Sequence, residues 1–178
     1  VEEQAQNLRH SNQAVVDALS SIIEFRSAES GRHVLRLRRL TQILLEDVAR
    51  SCPEYGLTER EIRSISSAAA LHDIGKIAIP DAILNKNQPL TPQEFEVMKT
   101  HTLSGSRMLE NLSGAADQDY LRYAYHICRY HHERWDGRGY PEGLRGDQIP
   151  LCAQVVGLAD AFDALTSDRA YKAAYPYE

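Results

Sequence analysis

Histidine and aspartate residues stand side by side in this 178-residue chain in short runs that could bind metal ions. His72 is followed by Asp73, and His131 by His132, the latter pair opening the stretch HHERWDGRGYP. An imidazole nitrogen beside a carboxylate can bind one metal ion while the carboxylate bridges to a second. Imidazole and carboxylate ligands together suit iron, manganese or zinc better than calcium or magnesium. Because two-residue patterns are common by chance, their weight depends on the residues around them.

Further candidate ligands lie at spacings that fit the same site. Glu29 and His33 are four residues apart and would share one face of a helix. Asp160 interrupts the apolar stretch VVGLADAFDAL, where a carboxylate is costly unless it is paired or bound to a metal. His101 lies ten residues after Thr91, where the sequence predicts that a helix begins. Each residue alone is most simply a capped or exposed polar residue, but together they indicate a multinuclear metal site.

Composition excludes several classes of protein. Hydrophobic residues make up 43% and charged residues 25%, which is typical of one globular domain. No apolar run approaches the roughly 18 residues of a membrane helix, and a net charge of −5 gives no support for nucleic-acid binding. The three cysteines, Cys52, Cys128 and Cys152, are scattered and odd in number, which favours reduced thiols in a cytoplasm.

The spacing of apolar residues is helical almost throughout, and this predicts an all-α fold. A helix is expected near 31–50, another from Thr58 through ISSAAALHD, and a third after Thr91. Thr58 and Thr91 each precede a glutamate by three residues, which is the signature of a capping box. Later helices are expected over roughly 117–132 and over AQVVGLADAFDALTS, whereas IPDAILNKNQPL reads as a loop.

The first 26 residues form a separate helical pattern. Apolar residues and one asparagine recur there at alternating spacings of three and four: Ala5, Leu8, Asn12, Val15, Leu19 and Ile22. An asparagine inside such a heptad seam can favour a parallel dimer. Three heptads fit a helix packed on the domain equally well, so both interpretations stay open at this level.

Four stretches together resemble one known family. LHDIGKIAIPDAIL, TPQEFEVMKTH, HHERWDGRGYPEGL and ADAFDALTSDRAYKAA occur in the order found in the HD-GYP family of cyclic-dinucleotide phosphodiesterases. The resemblance covers roughly residues 24–178, and Gly139-Tyr140-Pro141 corresponds to the motif that names the family. It implies an HD-domain helical bundle that encloses two or three divalent transition-metal ions, with iron or manganese favoured and zinc, nickel or cobalt as alternatives.

The resemblance also implies a division of ligands between the ions. One ion would be held by His33, His72, Asp73 and Asp160, and the second by His101, His131 and His132, with Asp73 as the bridge. Glu29 matches the glutamate of the subgroup that carries a third metal, although an acidic residue at a helix start is the simpler interpretation. Asp163, one turn beyond Asp160, could orient a ligand or cap a loop.

The implied reaction is hydrolysis of cyclic di-GMP to the linear dinucleotide pGpG, with a second cleavage to GMP left open and favoured by a third metal. Asp73 and Lys76 would take part in catalysis, and Lys76, Tyr140, Arg169 and Lys172 would contact the substrate. Arg169 and Lys172 could equally be surface cations, and Tyr140 could serve only to fix its loop. Asp136-Gly137 and Gly139 are expected to form turns with positive φ.

Two alternatives to this reaction follow from the same family. The substrate could be another cyclic dinucleotide such as cyclic GMP-AMP, since base choice depends on the shape of the pocket. The chain could also be a catalytically silent receptor, or a module that binds a diguanylate cyclase, although every ligand position that can be aligned is filled. The stretch NKNQPLT replaces the turn expected after the HD helix and could act as a lid.

The expected organisation is a linker helix over residues 1–22, which would transmit a signal, followed by an HD-GYP catalytic domain over 23–178. The family usually continues beyond the point where this sequence stops, so a C-terminal truncation is expected. An upstream regulatory domain, such as a phosphoacceptor receiver, and a homodimer through the N-terminal helix are expected from the heptad seam and from the family.

Overall fold

Seven α-helices and four short 3-10 helices make up the part of the chain that the computed structural model describes, residues 2–27, 32–112 and 118–167. The α-helices are α1 (Glu2–Arg26), α2 (His33–Ser51), α3 (Glu59–Ala68), α4 (Asp81–Leu84), α5 (Pro92–Glu110), α6 (Gln118–Tyr130) and α7 (Leu151–Thr166). These residues contain no β-strand, only an isolated bridge between Asp136 and Arg145. The all-α prediction is confirmed. None of the described helices has the length and apolar character needed to span a membrane.

Both predicted capping boxes are present. The Thr58 hydroxyl accepts the Glu61 N–H at 3.2 Å, and the Glu61 carboxylate accepts the Thr58 N–H at 3.0 Å. Thr91 and Glu94 make the same pair of bonds at the start of α5. Each box satisfies two N–H groups that the first turn of a helix leaves without partners, and this fixes where α3 and α5 begin.

Two local predictions were wrong. The helix after Thr58 does not run through His72 and Asp73, because α3 ends at Ala68 and the chain tightens into the 3-10 helices Ala69–Leu71 and Ile74–Ala78. The buried alanines before His72 leave room for this tighter path. The stretch after Pro80 is not all loop, since α4 forms there; Pro80 lies just before its first residue, where a missing N–H costs nothing.

The core lies between α2, α3, α6 and α7, whose apolar faces meet around fully buried side chains. These include Leu37, Leu45, Ile65, Ile127 and Val156. α2 and α7 each carry a candidate metal ligand, His33 and Asp160. α6 is followed directly by His131, and α3 is followed by the 3-10 helix that leads to His72. The packed core therefore fixes the relative positions of the residues predicted to form the site.

α1 packs on the domain through one face only. Ser20, Ile23 and Glu24 are buried, and Arg38 of α2 binds the Asp17 carboxylate at 2.8 Å. The seam residues whose side chains are described remain exposed, namely Val15, Leu19 and Ile22. Over the described side chains of α1, from residue 14 onward, its packing on the domain thus does not use the seam. α1 also runs without a break through residue 22, where the linker and catalytic domain were divided, and that division stays a prediction.

The 3-10 helix Ile74–Ala78 crosses α5 at two glycines. A Cβ atom on Gly75 would fall on the carbonyl oxygen of His101, and one on Gly105 would fall on Sγ of Cys128. Only glycine permits so close an approach of the two backbones. The crossing brings the residues on either side of Gly75 next to His101.

We expect Gly75→Ala to lower the free energy of unfolding by about 3 kcal/mol, because a methyl group must displace backbone rather than a mobile side chain. Gly56→Ala is the matched control: Gly56 has a φ of +59° but no neighbouring atom within 4 Å, so it should cost only about 1 kcal/mol from backbone strain. Urea denaturation of the two variants measures the difference. Equal losses would show that the crossing tolerates a side chain.

Candidate metal centre

Seven of the predicted ligands meet in two groups near the centre of the molecule. Within each group, one ligand atom per residue lies within 4.8 Å of the others. The first group consists of His33, His72 and Asp160, and the second of Asp73, His101, His131 and His132. Apart from Asp73, which the sequence assigned to both ions, this is the division that the family resemblance implied.

The ligands come from different elements of the bundle. His33 is the first residue of α2, and His101 lies in the middle of α5. His72 and Asp73 occupy the tight segment between two 3-10 helices, and His131 and His132 directly follow α6. Since residues at the ends of helices and in a tight segment project from the backbone at fixed angles, the bundle can converge their side chains on one point.

Hydrogen bonds at the far nitrogen fix which tautomer three of the rings adopt when they are neutral. The Nδ1 atoms of His72 and His101 lie 3.0 Å from Ala69 O and 2.8 Å from Met98 O, respectively. His131 Nδ1 lies 2.9 Å from Ile127 O. A carbonyl oxygen can only accept, so each Nδ1 carries the hydrogen and each neutral ring presents a lone pair at Nε2. This is the tautomer that histidine ligands of metals usually adopt.

The inward-facing nitrogens lack hydrogen-bond partners. The Nε2 atoms of His33, His72, His101 and His131 are buried without one, and so is Oδ1 of Asp73. Buried polar atoms are costly when unsatisfied, and such a cluster calls for an explanation. Metal ions bound by these atoms would supply it, so the donor set fits imidazole- and carboxylate-binding transition metals.

Asp73 lies at the centre of the cluster. Its carboxylate is 3.1 Å from His72 Nε2, 3.3 Å from His101 Nε2 and 3.9 Å from His131 Nε2. The ammonium of Lys76 lies 2.7 Å from the same carboxylate. Asp73 therefore contacts residues of both groups and is placed where a carboxylate could bridge two ions.

The charges of the cluster suit metal binding. Burial opposes ionisation of Asp73, yet Lys76 and His72 hold its pKa well below the usual value. Burial lowers the pKa of His131 to about 3 and that of His132 to about 2, so both rings are neutral at pH 7. Burial alone would lower the pKa of His72 too, but Asp73 raises it to about 9. A metal ion at His72 would compete with that proton.

Asp163 orients His33, which was one of the two alternatives that the sequence left open, and it also accepts a hydrogen bond from the Ser167 hydroxyl at 3.2 Å, just after α7. Its carboxylate accepts from His33 Nδ1 at 2.8 Å and from Arg36 Nη2 at 2.9 Å. His33 Nε2 consequently faces Asp160, 3.5 Å away. Burial opposes ionisation of Asp163, but the hydrogen bonds from Arg36 and His33 lower its pKa to about 2. The sequence signal for Arg36 was its position one helical turn after His33.

Glu133 fixes the loop behind the paired histidines. Its carboxylate accepts backbone N–H bonds from Glu142 at 2.7 Å and from Gly143 and Leu144 at 3.0 Å. The sequence analysis did not predict this role, because the backbone N–H groups that Glu133 binds are 9 to 11 residues away in the chain. The loop folds back on residues 132–134 and carries Tyr140 to the edge of the metal cluster.

Of the two glycines predicted to have a positive φ, Gly137 and Gly139, only Gly137 has one. Gly137 has a φ of +75°, as expected. Gly139 is not among the glycines with positive φ; it is required because a side chain there would collide with the backbone of Glu133 and Arg134. Close approach, rather than a left-handed conformation, explains this glycine.

Tyr140 borders the second group of ligands. Its ring lies 4.7 Å from the ring of His132 and 6.2 Å from that of Phe95 in α5. Burial raises the pKa of Tyr140, so its hydroxyl stays protonated and can donate a hydrogen bond. The ammonium of Lys99 lies 5.6 Å from the Phe95 ring and 5.8 Å from the Tyr140 ring. Phe95 and Lys99 lie more than 40 residues from Tyr140 in the chain, and no sequence motif places them beside it.

The loop interpreted as a lid is fastened to the start of α5. Lys86, within NKNQPLT, places its ammonium 2.6 Å and 2.8 Å from the two carboxylate oxygens of Glu94. The same carboxylate caps α5 through Thr91. A lid function for this loop stays a prediction.

Arg26, at the end of α1, was also missed. Its guanidinium donates to the carbonyl oxygens of Lys76 at 2.8 Å, Ile77 at 3.1 Å and Ile79 at 2.7 Å, and it pairs with Asp81 at 2.8 Å. A small cavity between α1 and this segment is lined by Glu24, His72 and Lys76, among others. α1 is therefore bonded to the segment that carries Asp73 and Lys76.

Three predicted site residues, Glu29, Arg169 and Lys172, lie outside the described residues. Their roles as a third-metal ligand and as substrate contacts stay predictions.

Comparison with known proteins gives a consistent result. The family model described as "HD domain" matches residues 18–178. Over 93% of its own length, the chain is 45% identical to a probable cyclic di-GMP phosphodiesterase of Vibrio cholerae serotype O1. Over 88% of its own length, it is 43% identical to a cyclic di-GMP phosphodiesterase response regulator of Xanthomonas campestris pv. campestris. It is 39% identical to a 3′3′-cGAMP-specific phosphodiesterase of V. cholerae over 93%. The chain spans only 38%, 39% and 30% of these relatives.

We expect Asp163→Asn to weaken metal binding roughly 10- to 100-fold, because the amide neither pairs with Arg36 nor fixes the His33 ring as a carboxylate does. Titration of the metal-free protein with Mn²⁺, followed by calorimetry, measures the change. Asp47→Asn is the control, since Asp47 makes a surface ion pair with Arg50. Unchanged affinity in Asp163→Asn would rule out a positioning role for Asp163.

Proposed function

Since the chain belongs to the HD domain family and carries the Gly-Tyr-Pro motif at residues 139–141, we propose that it is a metal-dependent phosphodiesterase that hydrolyses cyclic di-GMP. The observation that carries the proposal is the pair of ligand groups that meet at Asp73. The cyclic di-GMP phosphodiesterases among its relatives, at up to 45% identity, support the choice of substrate. The product of the first cleavage would be pGpG.

The proposed centre holds at least two divalent transition-metal ions, with iron or manganese favoured. His33, His72 and Asp160 would hold one ion, His101, His131 and His132 the other, and Asp73 would bridge them. Two such ions supply a water that ionises near neutral pH and a positive charge for the phosphate oxygens. All remaining tasks in the proposal fall to residues of the chain itself.

Lys76 is proposed to help neutralise the scissile phosphate. Its ammonium lies 2.7 Å from Asp73, and its side chain is only 14% exposed. A cation held this close to the bridging carboxylate can hydrogen-bond a phosphate oxygen without being lost to solvent. Its positive charge at this position favours an anionic substrate locally, although the chain as a whole carries a net charge of −5.

Tyr140 is proposed to bind the substrate at the edge of the centre. Its protonated hydroxyl could donate to a phosphate, and its ring, between those of His132 and Phe95, could stack on a guanine. Phe95 is 45% exposed and Lys99 lies over both rings, so these two residues extend the same surface outward. Arg169 and Lys172 are proposed to contact the phosphates or bases, as the family resemblance implies.

A third ion and a second cleavage, of pGpG to GMP, depend in this proposal on Glu29. Glu24, which the sequence did not single out, lies buried at the cavity beside His72 and Lys76. The Glu24 carboxylate would add negative charge next to His72 and would thereby favour the binding of a third cation there. The supporting observation is therefore the carboxylate-lined cavity on the α1 side of the centre.

Cyclic GMP-AMP is the second candidate substrate. The relative at 39% identity that is specific for 3′3′-cGAMP favours considering it. A silent receptor is less well supported, since all seven described ligand positions hold metal-binding side chains.

The surrounding organisation is also part of the proposal. An upstream receiver-type regulatory domain is supported by the response regulator among the relatives. Three free thiols, at Cys52, Cys128 and Cys152, support a cytoplasmic location.

The proposal is tested by loading the protein anaerobically with Fe²⁺ or Mn²⁺ and separating the products of cyclic di-GMP and cyclic GMP-AMP by chromatography. We expect turnover of cyclic di-GMP, and a loss of kcat of about 100-fold in Lys76→Met, as when one charge-stabilising donor is removed from an active site. Lys86→Met is the control, because Lys86 pairs with Glu94 rather than with Asp73. Metal-loaded protein that cleaves neither nucleotide would contradict the proposal.

Glu29→Ala should retain the first cleavage and slow the second at least 10-fold, because only the second is assigned to the third ion. The measurements are metal content per chain and the ratio of GMP to pGpG over time. Glu54→Ala, which changes an exposed glutamate of the 3-10 helix Pro53–Tyr55, serves as the control. If Glu29→Ala leaves the metal content and both rates unchanged, the third-ion assignment is wrong.

A further inference from the structure

Three side chains of α5 lie together beside the metal centre: Phe95, Glu96 and Lys99. The ammonium of Lys99 lies 2.7 Å from the Glu96 carboxylate and 5.6 Å from the centre of the Phe95 ring. The same ammonium lies 5.8 Å from the ring of Tyr140, which in turn lies 4.7 Å from the ring of His132. The group therefore adjoins the place where a substrate bound at the metal centre would extend outward.

Phe95 offers a ring face on which a nucleobase can stack. The Phe95 side is accessible, since the residue is 45% exposed, and its ring is nearly perpendicular to that of Tyr140, at 84°. The Tyr140 ring is tilted by only 31° from that of His132, so His132 covers part of one face of Tyr140. Aromatic faces bind all four bases by stacking. Phe95 is thus suited to hold a base but not to select one.

The ion pair between Lys99 and Glu96 can make the selection. An ammonium can only donate hydrogen bonds, and a carboxylate can only accept them. Guanine presents the complementary edge, because its O6 accepts while its neighbouring N1–H and N2–H groups donate. Adenine presents the reverse, an amino group at N6 that donates and an N1 that accepts. The ion pair therefore matches guanine at both polar positions and adenine at neither.

A phosphate fits this pair less well. The side chain of Glu96 is 69% exposed and that of Lys99 is 25% exposed. An anion that approaches from solvent would meet the carboxylate as well as the ammonium, and like charges repel at this range. A neutral base edge with both donors and acceptors carries no such cost.

We propose that Phe95, Glu96 and Lys99 bind one base of the cyclic dinucleotide and select guanine over adenine. Phe95 stacks on the base, Lys99 donates to O6, and Glu96 accepts from N1 and N2. The proposal rests on the proposed function and narrows its substrates to dinucleotides with at least one guanine. Cyclic GMP-AMP can place its guanine in this subsite, whereas cyclic di-AMP has none to place there.

The test compares cyclic di-GMP with cyclic di-AMP, because the two share the same sugars and phosphates and differ only in their bases. We expect the Mn²⁺-loaded wild type to favour cyclic di-GMP in kcat/KM by roughly 10- to 100-fold. Lys99→Met and Glu96→Ala should each reduce this preference roughly 10-fold. Lys99→Arg should retain it, because arginine also donates to guanine O6 and N7.

Two further variants separate stacking and general charge effects from base selection. Phe95→Ala should weaken both nucleotides roughly 10-fold and leave their ratio unchanged, since stacking does not discriminate between bases. Lys86→Met is the matched control: Lys86 pairs with Glu94 at 2.6 Å, and its side chain is 24% exposed, close to the 25% of Lys99. It should leave the preference unchanged. Circular dichroism of all variants verifies that the helices are retained.

The outcomes that contradict the subsite differ from those that contradict the catalytic activity. If Lys99→Met weakens both nucleotides equally, Lys99 contacts a phosphate and the proposal is overturned. A wild type without a preference, or a Lys99→Met variant that keeps it, overturns the proposal too. If the chain binds the nucleotides without cleaving them, the proposed activity fails, and the same ratios are taken from dissociation constants measured by calorimetry. A chain that neither binds nor cleaves either nucleotide overturns both.

Discussion

The ionised carboxylate of Asp73, held among imidazoles inside a helical bundle, constrains the elements around it. A charge at this depth is tolerated only if its neighbours compensate it. Lys76 does so directly at 2.7 Å, and the Nε2 atoms of His72 and His101 approach within 3.1 and 3.3 Å. These residues belong to two different segments that cross at Gly75 and Gly105. Because neither glycine has a side chain, the two segments can approach closely enough for His101 to reach the Asp73 carboxylate.

Hydrogen bonds from the Nδ1 atoms of the histidines hold these candidate ligands in one orientation. Backbone carbonyls fix the rings of His72, His101 and His131, and a carboxylate fixes His33. The two kinds of support differ in consequence. A carbonyl acceptor is neutral, whereas the Asp163 carboxylate, itself paired with Arg36, is charged and so makes the His33 ring a stronger donor to a metal. The two groups of ligands are therefore not equivalent, and the His33 group has the more strongly polarised ring.

Much of the fold and the ligand set could be predicted from the sequence because the signals are local or compositional. Capping boxes fix the starts of α3 and α5 within four residues of chain, and an aspartate inside the apolar α7 is conspicuous. The missed features depend on contacts between distant segments. Arg26 reaches residues 50 to 55 positions away, and Phe95 meets Tyr140 across the mouth of the site. Gly139 was assigned the wrong reason because close backbone approach leaves no trace in a single sequence.

α1 links the exterior of the molecule to its centre by two unlike kinds of contact. Between positions 14 and 25, its exposed side chains are all apolar, and apolar contacts tolerate sliding and rotation. Its inward end offers directional hydrogen bonds from Arg26 to the carbonyl oxygens of Lys76, Ile77 and Ile79, which tolerate neither. A displacement of α1 would therefore act through these bonds on the segment that carries Asp73 and Lys76. The least adaptable bonds of that helix are the ones nearest the candidate ligands.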